Sequence, residues 1–130
     1  MFTQSHSTKK SQRGFTMIEL LVVTTIIIVL TTIGLVSYRS ASRNARNGKR
    51  KADIESVRQA LVLYRVDEGS YPVSSDFNTM VTTISDYVSA VDISDPTGGD
   101  YVYSYTSNGT TFSLTALLEP DLEAYTLTNP

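Results

Sequence analysis

The sequence has no cysteine, no tryptophan and a single histidine. Without thiols there is no disulfide framework, no thiolate-held zinc or iron–sulfur site and no cysteine nucleophile. The lone imidazole, His6, lies in a polar N-terminal stretch, so neither a Ser-His-Asp triad nor a multi-histidine metal site has the partners it needs. Proline is scarce: of the 4 in the chain, none precedes Pro72. Positive charge is missing from the whole second half. All 11 Lys and Arg residues occur by Arg65, whereas 10 of the 13 acids lie from Asp67 onward, an asymmetry hidden by the net charge of −2. The 130 residues make one small domain, which excludes separate cofactor and substrate lobes.

Residues 1–14 are polar and basic, with Lys9, Lys10 and Arg13. From Gly14 to Tyr38 there is no Lys or Arg, and Glu19 is the only charge. The 24 residues from Phe15 to Tyr38 extend ~36 Å as a helix, enough to cross a ~30 Å hydrocarbon core with some tilt. The run is rich in β-branched residues, but in lipid unpaired backbone groups are too costly for anything except a helix or a closed barrel. It is therefore read as a membrane helix. A cleaved secretory signal fits poorly, because the run is too long and Leu35-Val36-Ser37-Tyr38-Arg39 offers no small-residue cut site. A plain signal anchor is the simpler alternative. Neither accounts for Glu19, since an ionisable group at membrane depth costs ~2.5–3.5 kcal/mol and needs a reason to be there.

Gly14-Phe15-Thr16-Met17-Ile18-Glu19-Leu20-Leu21-Val22-Val23 resembles the prepilin signature of type IV pilins and type II secretion pseudopilins. The resemblance implies an α+β pilin fold, in which a long N-terminal helix packs by its second half on a small antiparallel sheet. It also implies cleavage after Gly14 by a membrane prepilin peptidase, N-methylation of Phe15, and a role for Glu19 in assembly. The physics is consistent with this. A freed α-amino group has a pKa of ~7.7–8.0 and is cationic near neutral pH, so the Phe15 amine of one subunit can meet Glu19 of the next. A buried charge left unpaired costs ~3–5 kcal/mol, which penalises wrong register even where the pair adds little net stability. One rule points the other way. Three basic residues precede the span, and six follow closely: Arg39, Arg43, Arg46, Lys49, Arg50 and Lys51. That balance favours a cytoplasmic C-terminal side, while the prepilin motif requires its leader to be cut in the cytoplasm.

Beyond Tyr38 the pattern becomes amphipathic. Ile54, Val57, Leu61 and Tyr64, with Ala60 between, form a helical stripe, and Glu55, Arg58, Gln59 and Arg65 take other faces. One helix is expected from Phe15 to about Val66, about 52 residues and ~78 Å long. Many relatives carry a proline where this chain has Val36. Gly34 and Thr31-Thr32 are the nearest weak points, so any melting on assembly is expected within residues 31–40. The basic block reads either as a collar for anionic headgroups or as a set of intersubunit partners. The expected segments are a leader (1–14), a hydrophobic membrane and assembly helix (15–38), its amphipathic continuation (39–66) and a globular head (67–130).

Asp67-Glu68-Gly69-Ser70-Tyr71-Pro72 ends the helix, with Gly69 as a left-handed cap. The run Tyr64, Asp67, Gly69, Tyr71-Pro72, together with Lys51-Ala52-Asp53-Ile54, Ala60-Leu61, Asp95-Pro96-x-Gly98, Tyr101 and Tyr103, is similar to the major (G-type) pseudopilin of type II secretion. A short helix is expected near residues 78–85. Asn108-Gly109 signals a type I′ hairpin, which would pair Tyr105 with Phe112, Tyr103 with Leu114 and Tyr101 with Ala116 on one core-facing surface. A tyrosine stripe can also be a stacking platform for bases, but the acidic surroundings argue against nucleic acid. Related pseudopilins use a C-terminal calcium site. Asp92, Asp95 and Asp100 are the weak candidates here, and the tail from Glu119 lacks the Asp/Gly-rich loop that usually completes such a site, so no cofactor is expected. Asn108-Gly109-Thr110 matches a glycosylation sequon, though a turn explains it.

Removing residues 1–14 leaves 8 basic and 13 acidic side chains and takes away the only histidine, so no enzyme is expected. The expected function is that of a pseudopilin. Subunits stored in the inner membrane, with the head outside the cytoplasm, polymerise through their apolar helices into a periplasmic or surface filament. By resemblance the partners are further copies of the chain, minor pseudopilins, the prepilin peptidase/N-methyltransferase, membrane lipid, an inner-membrane assembly platform and a cytoplasmic ATPase. Two alternatives stay open: a type IV pilus pilin, and a single-pass anchored binding domain that never polymerises.

Overall fold

A computed structural model describes residues 14–88 and 93–129. His6, the three leader cations and Asp92 lie outside the described residues. Helix α1 (Met17–Glu68) is followed by a short helix α2 (Phe77–Thr83) and three strands, β1 (Ser104–Ser107), β2 (Phe112–Leu118) and β3 (Glu123–Thr128). The strands form one antiparallel sheet in the order β1-β2-β3. This long apolar helix with a small antiparallel sheet in the head is the α+β pilin architecture. The chain divides into two units at Tyr38/Arg39.

In the first unit α1 exposes its large apolar side chains, from Met17 at 91% to Val22 at 49%. Its threonine hydroxyls do not compete with that surface. Thr24 and Thr25 both donate to the Leu21 carbonyl, and Thr31 and Thr32 donate to those of Ile27 and Ile28, which satisfies each hydroxyl without water.

In the second unit α1 buries Arg50, Ile54, Val57, Ala60 and Leu61, spaced three and four apart as a helix requires. Gly69, at φ +79°, stops the helix, and its amide donates to the Arg65 carbonyl at 2.9 Å. Asp76 caps α2 by accepting from the Thr79 amide at 2.7 Å, so this helix starts one residue earlier and ends two earlier than its sequence pattern suggests. Phe77, Met80 and Ile84 close over the α1 stripe with Tyr71, Tyr103, Tyr105, Phe112, Leu114 and Ala116. The Tyr105 hydroxyl reaches the Pro72 carbonyl at 2.8 Å, giving a buried polar tip its partner.

The hairpin register differs from the sequence expectation by two residues. Tyr105 pairs with Leu114 and Ser107 with Phe112, so the connection is four residues, 108–111, rather than two. A type I′ turn needs positive φ at both central residues, and here only Gly109 adopts it. Asn108 instead accepts from the amides of Thr110 and Thr111 through Oδ1, holding a wider loop. An even shift preserves the face, so Tyr103, Tyr105, Phe112, Leu114 and Ala116 are still buried together. Tyr101 leaves that set and stacks on Arg50 instead, its ring centroid 4.5 Å from the guanidinium carbon.

Candidate functional site

Two clusters carry the ionisable chemistry. The first is at the head of α1. Glu19 Oε2 accepts from the Thr16 amide and from the Thr16 hydroxyl, each at 2.8 Å, while the Glu19 amide donates to Thr16 Oγ1 at 3.3 Å. This is a reciprocal capping box, in which an N-cap threonine and a glutamate three residues on satisfy each other's backbone donors. The pattern Thr16-x-x-Glu19 was readable in the sequence and was missed as a capping signal. It gives Glu19 a partner within its own chain, on an amide that the helix would otherwise leave unpaired. Phe15, Ile18, Leu20, Val22 and Val23 surround the carboxylate in an open, nearly wholly apolar groove. Gly14 and Phe15 are both exposed ahead of the helix, so the peptide bond between them is reachable.

The second cluster is centred on Arg50, which is completely buried. Its guanidinium donates from Nε to Asp95 Oδ2 at 2.6 Å and from Nη2 to Asp95 Oδ1 at 3.1 Å. It also reaches Thr97 Oγ1 at 2.9 Å, and Asn47 Oδ1 and Glu119 Oε1 at 2.8 Å each. Arg46 takes Glu119 from the other side through Nε at 2.7 Å. Asn47 donates to the Glu119 carbonyl and accepts from its amide. Hydrogen bonds from Arg46 and then Arg50 pull the Glu119 carboxyl down to about 2. For Asp95, burial pushes upward, but the Arg50 guanidinium and the Thr97 and Gly98 amides outweigh it and hold the carboxyl below its ordinary value. Lys49 pairs with Asp53 at 3.0 Å, and the Tyr103 hydroxyl donates to the same carboxylate at 2.8 Å.

These contacts correct the reading of the basic block. Arg46 and Arg50 are neither a headgroup collar nor free for a neighbouring subunit, because the head acids Asp95 and Glu119 of the same chain already pair with them, while Lys49 pairs with Asp53 one turn along α1. Arg39, Arg43 and Lys51 have no ion-pair partner among the described residues. Sequence reasoning also missed Glu119 and β3. Arg50 did carry a signal: it lies four residues before Ile54 on the buried stripe, where a cation requires an acid from elsewhere in the chain.

Of the calcium candidates, Asp92 lies outside the described residues, and the other two do not make a site. Asp100 is exposed, and both Asp95 oxygens face a guanidinium. Calcium wants six to eight oxygens around an open centre, whereas here the centre is filled by Arg50. As they stand, these residues do not fit the ion. No group of three His, Asp or Glu side chains converges as a metal site among the described residues.

Residues 9–35 match the prokaryotic N-terminal methylation motif, and residues 37–124 match type II secretion system (T2SS) protein G. The type II secretion system core protein G of Klebsiella michiganensis is 29% identical over 105 residues, covering 72% of this chain and 73% of that protein. Its namesake in Escherichia coli K12 is 34% identical over 64 residues, 49% of this chain and 44% of that protein. The one in Pseudomonas aeruginosa is 33% identical over 64 residues, covering 49% and 45%. No solved structure matches. With the protein G match alone spanning more than half of its length, the chain belongs to the type II secretion system protein G family.

Proposed function

We propose that this chain is the repeating, non-enzymatic subunit of a type II secretion pseudopilus. A prepilin peptidase cuts after Gly14, and the freed amine of Phe15 is N-methylated. Residues 15–38 hold the subunit in the inner membrane with its head outside the cytoplasm. Extraction by an assembly platform and its ATPase then stacks these helices against sister copies, and growth of the filament, capped by minor pseudopilins, drives export.

The observation that carries the reading is Glu19 at the head of a helix whose large apolar side chains find nothing to cover them among the described residues. In the stored subunit Thr16 supplies the donors for Glu19. In the filament the Phe15 amine of a neighbour replaces or joins them, bringing a full positive charge to a carboxylate that in the stored subunit meets only uncharged donors.

The test is filament recovery from cells expressing wild type, Glu19→Ala or Glu19→Gln at equal membrane levels. Sheared or pelleted filaments are expected for wild type, with near-complete loss for both variants. Glu19→Ala subunits that assemble as well as wild type would remove the proposed role, and a wild type that stays solitary at every expression level would favour an anchored, non-polymerising domain.

A further inference from the structure

The polar centre of the second unit is a cation supplied by the chain itself. A guanidinium has five N–H donors, and each donor of Arg50 has an oxygen: two from Asp95 and one each from Thr97, Asn47 and Glu119. No buried side-chain polar atom is left without a partner among the described residues. The charges also close locally, with Arg46 and Arg50 facing Asp95 and Glu119. These oxygens come from distant parts of the sequence, since Asp95 is 45 and Glu119 is 69 residues from Arg50. One side chain thus ties the loop before β1 and the β2–β3 turn to helix α1.

Gathering hard oxygens from separate loops is what a bound calcium ion does. We propose that Arg50 is a resident replacement for a divalent cation, so that the head of this chain holds its loop and tail in place without calcium. The oxygens converge on one volume, and that volume is occupied by a planar cation fixed to the helix. Asp95 reinforces the arrangement by accepting from the Thr97 amide at 2.8 Å and the Gly98 amide at 3.1 Å, which orients its carboxylate before Arg50 engages it. Tyr101 covers one face of the guanidinium and keeps water from that side.

The experiment follows thermal melting of the full-length protein in detergent micelles by near-ultraviolet circular dichroism of its tyrosines. Wild type is expected to melt at the same temperature in millimolar EGTA and in millimolar calcium chloride. Arg50→Ala opens the oxygen-lined volume and leaves the buried Asp95 carboxylate without its cation, lowering the midpoint by more than about 10 °C. Millimolar calcium should recover several degrees of that loss, and magnesium, which demands tighter octahedral geometry, less. Arg50→Lys keeps a cation with fewer donors, and should melt between the two and remain blind to calcium. The proposal is overturned if EGTA destabilises the wild type or calcium stabilises it. It is equally overturned if Arg50→Ala melts like the wild type, if calcium leaves Arg50→Ala unchanged, or if Arg50→Lys responds to calcium.

Discussion

From Phe15 to Tyr38 the chain exposes its large apolar side chains; from Arg39 onward it buries a complete core around Ile54, Leu61, Met80 and Leu114. Both regions share helix α1, so the difference does not come from backbone conformation. It comes from where the partner of each helical face is found. The second region carries its own partner as α2 and a sheet, and its buried cation, Arg50, finds acids within the same chain. The first region carries none. Its carboxylate, Glu19, is satisfied by the cap of its own helix, and its apolar surface calls for lipid or further copies of itself. A subunit made this way can be stable alone and still be incomplete.

The contrast can be broken or sharpened by substitution. The largest effect is expected at Glu19: the Ala variant should lose filament assembly almost entirely while its head melts like the wild type. Core truncation should show the reverse division. Leu114→Ala is expected to cost the head about 2–5 kcal/mol, whereas Leu21→Ala, on the exposed span, should leave head melting unchanged. Equal effects of the two on the head would contradict the separation. Acid should also strike only the second region. Glu119 has an ordinary value of 4.5, held down to about 2 in the fold, so the unfolded chain binds the proton more tightly. Its stabilisation is therefore whole above about pH 4.5 and is lost progressively as the pH falls toward 2, with Asp95 acting in the same direction. A head midpoint that stays flat across that window would speak against the Arg46–Glu119–Arg50 network. The smallest effect is expected at the end of α1, where Gly69→Ala places a Cβ at φ +79° and should cost about 1–2 kcal/mol in equilibrium unfolding.

How far the sequence could be read followed the range of the interactions involved. Features set by neighbours along the chain were legible: the helix stripe from Ile54 to Leu61, the Gly69 stop, the short helix near Met80 and the shared face of the hairpin. The prepilin-like run from Gly14 to Val23 was legible for the same reason, since its odd residues are contiguous. The hairpin register was not, because Asn108-Gly109 fits both a two-residue turn and the four-residue loop that Asn108 Oδ1 stabilises. The partners of Arg46 and Arg50 were also out of reach. They depend on Glu119, 73 and 69 residues away, and no local pattern reports such a distance. Strand β3 was overlooked because Tyr125 and Leu127 are its only apolar residues of any size, a weak alternation beside Pro120. The Thr16–Glu19 box is a different kind of miss. It is local and was visible, but a glutamate in an apolar run drew attention to distant partners and away from the helix start.

The central claim is that the first region is finished by other copies of the chain once its leader is gone. The most direct measurement is the intact mass and N-terminal residue of the protein extracted from the membrane of its native host. The account predicts a chain of residues 15–130 that begins with N-methylated Phe15. A protein that still begins at Met1, with an unmodified mass, would contradict it.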